Sequence, residues 1–158
     1  MARIPSTEIA WQEDEPEPVL DAIAALTFAD AGWLNLSPEV EGDYQNPPRS
    51  MFAWLFSARG EPIPLITWSP LRDGYGRVEI GIQHGTGGQV LRRLASLGHP
   101  RPEGWLRRAD HARRGLVVET TPSPDTEAAL DWAIRAAHLL SPAPLSGRWL
   151  ATVYRPGT

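Results

Sequence analysis

Polar and apolar positions alternate most cleanly over residues 77–83. Val78, Ile80 and Ile82 point one way; Arg77, Glu79 and Gln83 point the other. Period two predicts a half-buried strand. Residues 51–58 read differently. Phe52, Trp54 and Phe56 make one apolar face and Met51, Ala53 and Leu55 the other, which predicts a strand covered on both sides. Residues 59–62 turn the chain into a second strand over 63–68, where Pro64 removes a donor and points to an edge or a bulge. Two further strands are predicted at 115–120 and 148–155, and a short one at 33–36.

Helical spacing appears three times. Val19, Ile23 and Leu26 form one stripe from about Pro16 to Ala29, with Glu13, Asp14 and Glu15 at the end where the helix dipole favours acids. Val90, Leu91, Leu94 and Leu97 form another, closed by Gly98 with Pro100 beyond. The last helix is predicted to run to about Leu140, with Ser123 as its cap, Pro124 at its first position and Asp125 just inside. Glu127, Asp131, Arg135 and His138 give it a polar stripe opposite Leu130, Ile134 and Ala137. The order is α-(β)-β-β-β-α-β-α-β. It predicts an α+β domain with one mostly antiparallel sheet of five to six strands and two to three packed helices. The final β-α-β stretch leaves room for one parallel pair. Residues 1–158 form a single predicted domain, with 1–15 as a loosely held acidic arm.

Composition narrows the chemistry. The 158 residues include no cysteine, which excludes disulfides, thiolate zinc sites and a cysteine nucleophile. All 15 basic residues other than histidine are Arg, so neither a Schiff-base lysine nor a P-loop lysine is present. No apolar run approaches the roughly 20 residues of a membrane span, and no secretory signal is visible at the N-terminus. The expected setting is cytoplasmic, without membrane contact. Charge is uneven: residues 1–50 carry a net −8, residues 51–158 a net +4.

Two segments invite a functional reading. His84, Gly85, Thr86, Gly87 and Gly88 join a strand to a helix, where backbone N–H groups and the helix dipole suit a phosphate or carboxylate. The same glycines also suit a tight turn with Thr86 as helix cap. Walker and Rossmann spacings are both absent. The second segment, residues 92–114, reads as a polar loop after the helix ends near 97, and it holds seven Arg against Glu103 and Asp110. Trp105, Arg107, Arg108, Arg113 and Arg114 are its candidate partner-binding residues. An overall net charge of −4 speaks against nucleic acid. The candidates that remain are an acidic protein partner and the chain's own acidic N-terminal third. His99, Asp110 and His111 lack metal-ligand spacing, and no serine lies in a nucleophile elbow. No catalytic residue, metal or cofactor is assigned.

Two family resemblances follow from these elements. Residues 19–140 are similar in order to the type III secretion chaperone and YbjN-like peptide-binding fold. Leu94-Ala95-Ser96-Leu97-Gly98-His99-Pro100-Arg101-Pro102 resembles the Leu-Gly-aromatic-x-x-Pro ending of its middle helix, with His99 in the aromatic place. This resemblance implies a domain that holds a partner polypeptide without catalysis. Residues 51–137 also resemble the acetyl-CoA-dependent N-acetyltransferase superfamily in order. Its R/Q-x-x-G-x-G/A turn, counted from Gln83, meets Thr86 where Gly belongs. That resemblance implies a cofactor pyrophosphate at residues 84–88. The expectation is therefore a small chaperone or adaptor; the alternative is an acyltransferase-like enzyme.

Overall fold

The computed structural model describes residues 3–42 and 62–156. The strand expected at 51–58, with Trp54, lies outside them. The elements run β1 Ser6–Gln12, α1 Glu17–Phe28, β2 Trp33–Val40, β3 Leu65–Pro70, β4 Val78–Gln83, α2 Val90–Ser96, β5 Leu106–His111, β6 Gly115–Glu119, α3 Thr126–Leu140 and β7 Leu145–Tyr154. The described strands form one seven-stranded sheet in the order β1-β7-β2-β3-β4-β6-β5. The α+β class stands, with seven strands in place of five to six. Every pairing among the described strands is antiparallel, and β6 and β7 do not form the parallel pair.

Register explains how one core serves the whole sheet. Val153, Leu34, Trp68, Ile80 and Val118 face one another in a single row across five strands. Ala151, Leu36, Ile66, Ile82 and Leu116 form the next row. Cross-strand partners share a face, so both rows point the same way. All ten are buried, and they join Val19, Ile23 and Leu26 of α1, Val90 and Leu94 of α2, and Leu130, Ala133 and Ala137 of α3 in one cluster. Thr152, Asn35, Thr67, Gly81 and Val117 line the opposite face and are half-buried.

Several elements depart from the sequence reading. The acidic arm expected over residues 1–15 contains β1, which pairs with β7 from Ser6–Tyr154 to Gln12–Arg148. Trp11 stacks on Trp149 with centroids 5.8 Å apart, so β1 is tied to the core. The expected polar loop after α2 contains β5. The cap of α3 is Asp125, which accepts from the Ala128 N–H at 3.0 Å; Ser123 instead occupies the left-handed region at φ 47°. The polar stripe of α3 is exposed and its apolar side buried, as the spacing predicts.

Candidate interaction surface

The turn at residues 84–88 is built inward. His84 is fully buried. Its Nδ1 accepts the Thr86 backbone N–H at 3.2 Å and lies 2.8 Å from Thr86 Oγ1. A backbone N–H only donates, so Nδ1 carries no proton and the neutral ring holds its hydrogen on Nε2. Arg93 Nη2 donates to Thr86 Oγ1 at 2.8 Å and to the Gly87 carbonyl at 3.4 Å. Burial pushes the His84 imidazole below its ordinary value; the Arg93 charge adds to this and the Asp110 carboxylate opposes it.

Helix α2 begins at Val90 after Gln89, whose φ is 57°. Thr86 is therefore not its cap. Asp110, reaching over from β5, accepts the Val90 N–H at 2.9 Å and the Leu91 N–H at 3.1 Å. The anion that a helix start attracts is thus supplied by the chain itself. Among residues 84–88, His84 Nδ1 and Thr86 are committed to each other and Thr86 to Arg93, while His84 Nε2 is buried without a partner among the described residues.

The arginine-rich segment divides in two. Trp105 was expected to contact a partner, but its side chain is buried and packs edge-on against Trp132 at 5.3 Å. His99 stacks on the same Trp132 and its Nε2 lies 2.8 Å from the Trp132 carbonyl. Arg108 donates through Nε to Glu119 at 2.6 Å, and Arg77 meets the other Glu119 oxygen at 2.9 Å. Glu119 is buried; the hydrogen bond from Arg108 and the charges of both arginines hold its carboxyl below the usual range, against the opposing effect of burial. Arg107, Arg113 and Arg114 are exposed, and no ion pair engages them among the described residues. Arg113 and Arg114 sit at the β5–β6 turn, where their N–H groups donate to His111 Nδ1 at 3.1 and 3.3 Å. His99, Asp110 and His111 are thus each engaged separately, and no group of three or more His, Asp or Glu is placed to hold a metal among the described residues.

β5 ends the sheet, so one side of its backbone has no strand neighbour among the described residues. Beside it opens a groove of about 890 Å³, with Arg92, Arg101, Arg107 and Arg108 around it. A second cavity of about 540 Å³ lies at the other end of the sheet and carries one charge of each sign, Glu39 and Arg148. Among the described strands, β1, with Glu8 on it, is the opposite edge of the sheet from β5. The expected pairing of the basic segment with the N-terminal third is not formed within one chain among the described residues.

Sequence reasoning missed Glu119, Arg77 and the capping role of Asp110. A carboxylate in a run as apolar as Leu116-Val117-Val118-Glu119 was the available signal, because a buried charge requires partners. No described helix is long and apolar enough to cross a membrane. No protein-family model, curated protein or solved structure matches the chain.

Proposed function

We propose that this chain is a non-catalytic protein-binding domain, an adaptor or small chaperone, that docks an acidic partner along the β5 edge. The observation that carries this reading is the set of exposed arginines on and beside β5, Arg107, Arg113 and Arg114, which no ion pair engages among the described residues. Clustered like charge steers an oppositely charged partner and raises its rate of encounter. An open strand edge offers backbone groups to an incoming segment.

The enzyme alternative places a cofactor phosphate at residues 84–88. Asp110 already takes two N–H groups of the helix start there, so the observations favour the binding domain.

The test is fluorescence anisotropy with a labelled oligo-glutamate peptide and with a single-stranded oligonucleotide of equal charge. We expect the peptide to bind. Reversing Arg107, Arg113 and Arg114 to Glu together should weaken it at least tenfold. Equal or tighter oligonucleotide binding would overturn the reading. So would a thermal shift with acetyl-CoA: a cofactor at 100 times its Kd stabilises by about 2.7 kcal/mol.

A further inference from the structure

The groove beside β5 has two chemistries. Leu91 and Ala95 of α2, Pro100 and Leu106 give it an apolar surface, and Arg92, Arg101, Arg107 and Arg108 give it positive charge. Leu106 is 46% exposed. Edge strands are ordinarily blunted with charge, so an exposed leucine beside Arg107 and Arg108 is an apolar spot on a guarded edge. Among the described residues Asp110 is the one acid lining the groove, and both of its oxygens accept from α2 amides. Against these four arginines the described lining sets only the Asp110 carboxylate, and Glu119 pairs with Arg108 at the margin, so positive charge is in excess.

We infer that this groove seats an extended segment of a partner protein in which a leucine-like side chain is flanked by carboxylates. The inference rests on the protein-binding reading above and specifies which part of the partner is recognised. Charge complementarity selects the flanking residues, and the apolar surface of Leu91 and Ala95 of α2 selects the anchor. Leu106 to Asp110 spans roughly 13 Å, four strand steps of about 3.3 Å, alongside which about five extended residues fit. Among the described residues no strand pairs with the outer side of β5, and its backbone there offers main-chain partners to a segment lying alongside it, in the manner of strand addition.

The experiment uses the full chain and two labelled heptapeptides: Glu-Asp-Glu-Leu-Glu-Asp-Glu, and the same peptide with Ala for Leu. The leucine peptide should bind about tenfold more tightly, because only it buries an aliphatic side chain. Ala95→Trp, at an exposed position of α2, should fill the groove and erase that preference, with an unchanged circular-dichroism melt. Arg113→Glu with Arg114→Glu, at the hairpin tip, should weaken both peptides alike. If the two peptides bind equally and Ala95→Trp changes nothing, the groove inference falls while the acidic-partner reading stands. If neither peptide binds, both fall. A doubling of the mass in solution that Ala95→Trp abolishes would assign the groove to a second copy of the chain and overturn the inference.

Discussion

At His84, a backbone N–H held against Nδ1 leaves no room for a second proton, and burial together with Arg93 resists the charge that such a proton would bring. The folded-state value therefore lies below the ordinary one. As pH falls through about 6.5, the unfolded chain gains a proton that the folded chain refuses. Stability conferred by neutral His84 is complete above that range and declines as pH falls toward the depressed folded value. Urea unfolding from pH 7.5 to 5 should show that decline, and His84→Gln should flatten it; an identical slope in the variant would remove His84 as its source. Glu119 acts at lower pH by the same logic. Its lowered value means stability is present above the ordinary carboxylate range and lost as pH falls through the folded value. Asp110 is the neighbouring residue with most to lose. Asp110→Ala leaves the Val90 and Leu91 amides without an acceptor and should cost about 1 kcal/mol, within the 0.5–2 kcal/mol of lost helix caps. Asp110→Asn keeps an acceptor but not the charge and should cost less. The capping role of Asp110 was not legible in the sequence, because cap and helix are some twenty residues apart.

Among the elements, legibility followed burial. β4 and the apolar side of α3 were read correctly because each sets one buried face against one polar face. β5 has no such contrast: none of its residues is fully buried, and its register shifts between Arg107 and Ala109, which breaks the alternation. β1 was read as an arm because Trp11 is its one buried residue. Edge strands carry this penalty generally, since half of what makes a strand recognisable is a core on one side and neighbours on both. The start of α2 was misplaced because no side chain near Gln89 caps it. Two glycines separate local strain from packing. Gly87 has φ 93° and open space around an added Cβ, so Gly87→Ala should cost only the backbone penalty of about 1 kcal/mol. Gly115, at φ 83°, would put a Cβ 2.5 Å from the Ile82 carbonyl oxygen across the β4–β6 pair. Gly115→Ala should therefore be clearly the more destabilising in urea, and equal losses would remove the clash as a cause. Ile80→Ala, in the central buried row, should cost about 2–5 kcal/mol.

Across the whole molecule, the sheet separates the charge that the sequence shows as two blocks. β1, with Glu8 on it and Asp14 and Glu15 just beyond, is one edge; β5 and its arginines are the other. Six strand steps of about 4.8 Å put them roughly 29 Å apart. Chain order could not reveal this, because β7 inserts between β1 and β2 and carries the N-terminal strand away from the basic hairpin. Fields between exposed charges fade over about 8 Å at physiological salt and about 30 Å at 0.01 M. The acidic edge should therefore be invisible to a ligand at β5 in one regime and felt in the other. Replacing Glu8, Asp14 and Glu15 by their amides removes three exposed negative charges and leaves the strand pairing intact. At 0.15 M salt, the affinity of the leucine-bearing acidic peptide should stay within twofold of the parent. At 0.01 M the same variant should bind it more tightly, because the repulsion it removes then reaches the groove. A large gain at 0.15 M would mean that the two edges lie close together, and that the basic hairpin answers the acidic strand directly.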